Sequence, residues 1–462
     1  MSRGSVVVIG GGLAGITAAL DCAREGLEVT LLEARGRLGG AAYSFERGGL
    51  TVDNGQHVFL RCCTAYRELL DQLGAADKVV LQPRLAVPVL APGGRLGWLR
   101  RSQLPAPLHL AASLLRYPYL GMRERLALAW AMQRLRAVDI DDPANDAVCF
   151  GDWLRRQRQT PRAVESIWEL IVRPTVNLTV DDASLAQAAQ VFQVGLLSDA
   201  AAGDIGWAAV PLGEIHDGCG RAALERAGVS VRLRSTAQTI TRQALDGGPS
   251  AGLSFRVEAS DGFNGVADTV VVALAPQQAE QILPSQQGLA PDWPARLGSS
   301  PIINLHVIYD REVLSHPFAA SVDSPVQWVF DRTASSGLSD GQYLAVSLSA
   351  AGTELHATAE ELRDRYLPAL VELLPGAASA AVREFFVTRE HAATFRAAPG
   401  VRASRPGTQT DVPGLFLAGA WTDTGWPATM EGAVRSGHAA ASEVTALIAS
   451  ISREPARAAV EV

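Results

Sequence analysis

Cysteine is scarce in this chain of 462 residues. The five present (Cys22, Cys62, Cys63, Cys149 and Cys219) are odd in number and irregular in spacing. That excludes a disulfide framework, and no spacing suggests a metal site. Adjacent Cys62 and Cys63 read as two buried free thiols rather than a redox pair. No run of about 18 uninterrupted apolar residues occurs, which argues against a membrane-spanning helix. No basic run of the kind that binds nucleic acid occurs either. The net charge is −7 with both signs interspersed, so a nucleic-acid partner is not expected. Internal repeats are absent. The first apolar run begins almost at the start, so no secretory leader is expected and a reducing cytoplasm is the expected compartment. The length exceeds one typical core, which makes two domains the expectation.

What the chain does have is a nucleotide-binding signature divided between its two ends. Val6-Val7-Val8-Ile9 runs into Gly10-Gly11-Gly12-Leu13-Ala14-Gly15, and Val29-Thr30-Leu31-Leu32 closes on Glu33. This order predicts strand, tight turn, helix (Ile16 to Arg24) and strand. Gly10 permits the turn, Gly12 lets the backbone approach a pyrophosphate, and Gly15 lets the helix pack close to the strand. The positive helix N-terminus faces the diphosphate. Glu33 stands eighteen residues after Gly15, where a carboxylate accepts from ribose hydroxyls and disfavours a 2′-phosphate. Near the far end, Leu415-Phe416-Leu417-Ala418-Gly419 leads to Asp423, placed to reach a ribityl hydroxyl. A helix follows near Met430, Glu431 and Ala433, with its N-terminus toward the flavin ring. No second G-x-G-x-x-G follows a strand, so no separate nicotinamide site is expected.

The chain between these ends changes character. Residues 81 to 215 look helical, rich in Leu, Ala, Arg and Trp. Val229 to Leu233 and Phe255 to Glu258, separated by the turn-rich Asp246 to Ser250, predict strands returning to a sheet. Thr269 to Leu274 predicts a buried parallel strand. Residues 300 to 395 mix strands (Ile302 to Tyr309, Tyr343 to Leu348) with one helix (Thr358 to Leu374). The predicted fold class is α/β: a discontinuous Rossmann-like FAD-binding domain (1–80, 216–298 and 400–451) with an inserted mixed α+β substrate domain (81–215 and 299–399). Residues 452–462 are predicted to form a flexible tail.

Ala34-Arg35-Gly36-Arg37-Leu38-Gly39-Gly40 resembles the R-x-G-G element of the amine oxidase and carotenoid desaturase superfamily of FAD enzymes. There an arginine and bare backbone lie along the dinucleotide. The resemblance implies FAD, with contacts from Leu13, Ala14, Ala34, Arg35, Arg37, Gly39 and Gly40. It is expected to be non-covalent, because no cysteine follows Cys219. Two narrower stretches, Val52-Asp53-Asn54-Gly55-Gln56-His57-Val58-Phe59 and Asp204 through Trp207 to Glu214-Ile215-His216, resemble the bacterial hydroxysqualene dehydroxylases. Asn177-Leu178 after Arg173-Pro174 adds to that likeness, which runs over essentially the whole chain. The first stretch implies further cofactor contacts from Asn54, Gly55, Gln56 and His57. One departure is His216-Asp217-Gly218-Cys219-Gly220, where an atypical loop is expected in place of a helix opening.

That resemblance implies reductive removal of an allylic hydroxyl from a C30 isoprenoid. Hydroxide leaves poorly, so an acid must protonate it, in an apolar pocket that excludes water. His57 and Glu214 are the first choices for the acid, Glu214 as a buried carboxyl with raised pKa, with His216 behind them. Capping a helix is the alternative for Glu214 and His216; Asp53 and Asn54 equally well hold the loop. Trp207 and Trp426 are candidates for contact with a cation, each ring contributing roughly 0.5–2 kcal/mol. A C30 chain resists leaving lipid by roughly 20 kcal/mol at about 0.8 kcal/mol per CH₂. Substrate is therefore expected from a membrane face, the inner one for a cytoplasmic enzyme, or from a neighbouring enzyme of the squalene pathway. Residues 104–120, with Leu114 and Leu115 after Arg100-Arg101, form a candidate docking surface that competes with ordinary packing. A carotenoid or isoprenoid desaturase and a non-catalytic lipid-binding escort are the competing functions.

Overall fold

The computed structural model describes residues 4–243, 254–284 and 288–458, with side chains to residue 451. Asp246 to Ser250 lies outside the described residues. The chain opens on β1 (Ser5–Ile9), α1 (Leu13–Arg24) and β2 (Glu28–Glu33). These belong to a five-stranded sheet ordered Ser230–Leu233, β2, β1, Thr269–Val272, Leu415–Leu417, parallel throughout. Its strands are short apolar runs because both faces are covered. Val6, Val8, Leu31, Val271 and Phe416 enter the core shared with α1, α2 (Thr64–Leu73) and the C-terminal helix Met430–Ala458. Val7, Ile9, Leu32, Val272 and Leu417 enter a larger core on the opposite face. There the antiparallel strands Ala237–Arg242, Phe255–Ala259 and Asn264–Ala267 contribute Ile240, Phe255 and Val257.

A seven-stranded sheet forms the second layer, ordered Val382–Thr394, Ser300–Tyr309, Gln342–Ser349, Trp328–Asp331, Phe318–Ser321, Ala86–Ala91, Arg95–Arg100. Side chains alternate between its faces. Ile303, Leu305, Val307 and Tyr309 pack with Leu362, Tyr366 and Leu370 of helix Ala359–Leu373. Asn304 and His306 lie on the other face, in register with Thr388 and Phe386 on one neighbour and Ser347 and Ala345 on the next. Beyond the sheet's Arg95–Arg100 edge lie α3 (Ala111–Arg116) and α4 (Met122–Leu135). Two smaller pieces complete the site region. They are a hairpin of β3 (Ser44–Arg47) with β4 (Leu50–Asp53), and the sheet β5 (Val58–Leu60), Ile205–Ala208, Val79–Leu81. All five cysteines are free; Cys63 is buried and Cys62 half-buried.

Several sequence expectations change. Residues 81–215 are not purely helical: Ala86–Ala91 and Arg95–Arg100 form a hairpin on the second sheet, turned by Gly93 and Gly94, both at positive φ. That Gly-Gly pair is a hairpin signal. Val231 returns to the parallel sheet, but Phe255–Ala259 joins a separate antiparallel one. Glu214–Cys219 is a wide helical turn running into helix Gly220–Arg226, not a loop. The C-terminal helix continues to Ala458, so the tail expected from Ser452 begins as helix.

The C-terminal helix reaches the dinucleotide half through a close crossing with α1. A Cβ on Gly437 would lie 2.4 Å from Ala14 O and 2.7 Å from Thr17 Cβ. Gly437→Val is expected to cost about 1–3 kcal/mol by overpacking. Thermal melts of the variant check this, and an unchanged Tm would refute the crossing.

Candidate flavin site

The glycine cradle is built from backbone that tolerates no side chain. Gly10 turns at φ +108°, and a Cβ there would stand 2.4 Å from Ala273 O. Gly40, at φ +56°, would place a Cβ 2.8 Å from Gly12 Cα, so the two bare loops cross in contact. At Gly15 a Cβ would meet Gly10 O at 1.9 Å, which is why α1 can start so close to β1. The first turn of α1, with buried Leu13 and Ala14, has no side-chain cap and no acidic residue. Its amide dipoles are therefore left without a side-chain acceptor, as an anion-binding helix end requires. Glu33 is buried, and its carboxylate accepts from the amides of Gly11 and Arg35, both at 2.7 Å. Arg37 folds back onto the carbonyls of Leu38 and Gly40 at 3.2 Å, with its guanidinium 3.5 Å over the Tyr43 ring. The side chains of Ala34 and Arg35 are exposed, and Gly39 N donates to Gly11 O at 2.9 Å.

At the distant end, Gly419 N donates to Ser436 Oγ at 2.8 Å, tying the last strand to the C-terminal helix. Met430 and Ala433 are half-buried in that helix's first turns. Two expected contacts are redirected. The Glu431 carboxylate accepts from Ala65 N and Tyr66 N, capping α2, and pairs with Arg435 at 2.7 Å. Both oxygens of that buried carboxylate are thus engaged within the protein. Asp423 is exposed, lies 3.8 Å from Arg402 Nε, and lines a surface cleft with Thr64 and Glu68. Trp426 lies under Arg435, whose guanidinium is 4.7 Å from the ring centre.

The stretch from Asp53 to His57 spans both layers. The Asp53 carboxylate is buried and accepts from Ser44 Oγ (2.6 Å), Leu212 N (3.0 Å) and Arg332 Nη2 (2.6 Å). Asn54 uses its amide on Ala41 O and Glu390 and accepts from Tyr43 N. Its carbonyl receives Asn304 Nδ2 and Thr388 Oγ1 from the second sheet. Gly55 and Gln56 follow, and the half-buried His57 directs Nδ1 at Gly55 O, 3.2 Å away. Burial pushes the His57 imidazole below its ordinary value. His306 sits fully buried beside Tyr343 and Thr388 and stacks on Phe386, its imidazole pushed down to about 3 by burial. Arg332, Glu390, Asn304 and His306 escape sequence reasoning, because only strand pairing brings them to residue 54. Alternation along Ile302 to Tyr309 was the available signal.

Two proton-donor candidates fall away. Glu214 is exposed, with 48% of its side chain accessible, and pairs with Lys78 Nζ at 2.5 Å. It is not buried, because the wide helical turn points it to solvent. His216 is fully buried between Ala42 O (3.0 Å) and Tyr66 OH (2.9 Å). A carbonyl only accepts, so Nδ1 carries the proton and Nε2 accepts from the tyrosine. Burial pushes this imidazole down to about 4, and its role is to hold the Gly39–Ala42 turn. Trp207 is half-buried and meets Phe318 edge-on at 5.5 Å.

Two expectations follow. Asp53→Ala leaves Arg332 buried without its partner and is expected to cost about 3–5 kcal/mol; urea unfolding checks this. His216 titrates near 4 in the fold against an ordinary 6.5. Between those values the unfolded chain binds the extra proton, so stability is full above pH 6.5 and falls as pH drops toward 4, by about 1.4 kcal/mol per unit of separation. Tm against pH should show this slope, and His216→Gln should reduce it, with buried His306 and half-buried His57 supplying the rest.

These residues fit a flavin dinucleotide: a side-chain-free cradle, an open helix end and a buried ribose-type carboxylate. Gln56 Nε2 and Asn304 Oδ1, buried beside one loop, have no hydrogen-bond partner among the described residues. Such groups require a partner. The model of the family "Flavin containing amine oxidoreductase" matches residues 13–445. The hydroxysqualene dehydroxylase of Sinorhizobium fredii is 28% identical over 95% of this chain and 97% of its own. The zeta-carotene desaturase of Synechocystis is 23% identical over 96% and 97%. Cyclohexylamine oxidase from Brevibacterium oxydans superposes with a TM-score of 0.71 at 19% identity, covering 97% of this chain and all of the other. The chain belongs to the flavin-containing amine oxidoreductase family and is a flavin-dependent oxidoreductase.

Proposed function

We propose that the chain is an FAD-dependent hydroxysqualene dehydroxylase, holding FAD without a covalent bond and reducing an allylic C30 alcohol to the hydrocarbon. The observation that carries this reading is an apolar aromatic wall continuous with the His57 loop. Val58 pairs with Trp207, which packs on Phe318, and Phe318 lies 6.0 Å from both Trp328 and Phe330. Such a cluster provides the apolar surroundings that a long hydrocarbon requires. The near-full-length likeness to a hydroxysqualene dehydroxylase supports the same substrate class.

The chemistry asks the chain for a proton and a dry site. A reduced flavin supplies the hydride that the carbon accepts once its C–O bond has broken. His57 supplies the proton that lets the oxygen depart as water: its Nδ1 is engaged by Gly55 O, which leaves Nε2 to carry and release a proton. The aromatic wall excludes water from the carbon, so the hydroxyl does not return. The likeness to zeta-carotene desaturase supports the opposite redox direction on a similar chain, and a colourless protein would favour a lipid escort.

Photoreduced protein mixed anaerobically with hydroxysqualene is expected to regain the oxidised flavin band while squalene forms. A flavin that stays reduced overturns the reading and favours desaturation. Because burial lowers the His57 pKa, the rate should rise as pH falls, with a midpoint below about 6.5. His57→Phe should slow the step by about 10²–10⁴-fold and abolish that pH dependence. An unchanged rate removes His57 from the role.

A further inference from the structure

The outer face of α4 is apolar where a solvent-facing helix should be polar. Leu128, Ala131 and Leu135 are buried. At about 100° per residue, Met122, Leu126 and Trp130 stand on the opposite side. All three are exposed, Leu126 at 66% and Trp130 at 62%. Leu104, Leu108 and Leu115, ahead of α4 in the chain, are exposed as well. Six of the eleven large apolar side chains exposed among the described residues thus fall within 27 positions. Scattered exposure needs no explanation, but concentration of this kind marks an interaction surface.

Charge identifies the occupant. Between residues 100 and 138 there are seven arginines and a single acid, Glu124, in a chain whose net charge is −7. Glu124 is committed to Thr160 Oγ1 (2.6 Å) and Gly121 N (2.8 Å). Arg116, Arg123, Arg134 and Arg136 are exposed and form no ion pair with any described residue. On the helix, Arg123 and Arg134 flank one side of the Met122–Leu126–Trp130 stripe and Arg136 the other. An apolar stripe with an interfacial tryptophan between rows of arginine is the chemistry of a helix lying in an anionic lipid surface. We propose that α3, α4 and the segment before them dock on an anionic bilayer, with Leu126 and Trp130 inserted and the arginines at the headgroups. No helix among the described residues is long and apolar enough to cross a membrane, so the contact is peripheral. The inner side of α4 (Leu128, Ala131, Leu135) belongs to the same core as Phe318 and Phe330. Docking would therefore set the core that α4 shares with Phe318 and Phe330 against the membrane-facing side. That purpose rests on the proposed isoprenoid substrate; the docking does not.

The structure also relocates the residues to test. Leu114 is half-buried and packs on the core, so replacing it would disturb the fold. The informative variant is Leu126→Asp with Trp130→Asp, both fully outside that core. Flavin-loaded full-length protein is floated with phosphatidylcholine vesicles, with and without phosphatidylglycerol. Binding is expected only with phosphatidylglycerol, weakening as salt is added, and falling about tenfold or more in the double variant while flavin content and Tm hold. Equal flotation of wild type and variant, or none with anionic vesicles, overturns the proposal. Sedimentation of a dimer that the variant dissociates would assign the face to a second copy and also overturn it. No substrate enters the assay, so its failure is separate from failure of the dehydroxylase reading.

Discussion

Burying the carboxylate of Asp53 obliges three remote stretches of chain to meet. A charge taken from water costs several kcal/mol unless its lone pairs are answered. Here the answers come from Ser44 on the adjoining hairpin, from Leu212 N after the strand Ile205–Ala208, and from Arg332, just past the second-sheet strand Trp328–Asp331. Arg332 in turn donates to Ala208 O. The dinucleotide half and the second sheet are thereby stapled where Asn54 begins the loop that carries Gln56 and His57. The position of that loop, and hence of the one remaining proton-donor candidate, follows from the ion pair.

The three groups first considered as acids illustrate how environment assigns roles to similar residues. Glu214 faces solvent and a lysine, which removes the desolvation that would have made it an acid at neutral pH. His216 is desolvated so completely, between one carbonyl and one hydroxyl, that it serves as a fixed strut beneath the Gly39–Gly40 turn. His57 lies between these extremes, with one nitrogen engaged and the other without a partner among the described residues. Proximity in the sequence put Glu214 and His216 together; the wide helical turn sends their side chains to opposite environments.

Legibility followed the range of the interactions. The β1–α1–β2 unit was readable because its determinants are local: short apolar runs, glycines where a Cβ has no room, and a carboxylate at the strand's end. The strands Thr269–Val272 and Leu415–Leu417 were readable for the same reason. The hairpin Ala86–Ala91 with Arg95–Arg100 was missed because its strands are short and set among helical composition, although Gly93-Gly94 marked its turn. The contacts of Asp423 and Glu431 were expected at a cofactor on motif position alone. Packing of the C-terminal helix on α2 directs the Glu431 carboxylate to the buried N-terminus of α2, where otherwise unsatisfied amides compete for it.

By itself the sequence determined the β1–α1–β2 unit, the glycines whose Cβ would have no room there, and the distant strand Leu415–Leu417 that joins the same sheet. These depend on steric exclusion and periodicity, which a linear sequence carries. Only the tertiary structure decided which titratable groups are desolvated, which polar groups meet Asn54 across the sheet boundary, and which leucines of residues 104–130 face outward. Each of those depends on what packs alongside a residue from hundreds of positions away, and burial, the quantity that sets pKa and exposure, is a property of that neighbourhood alone.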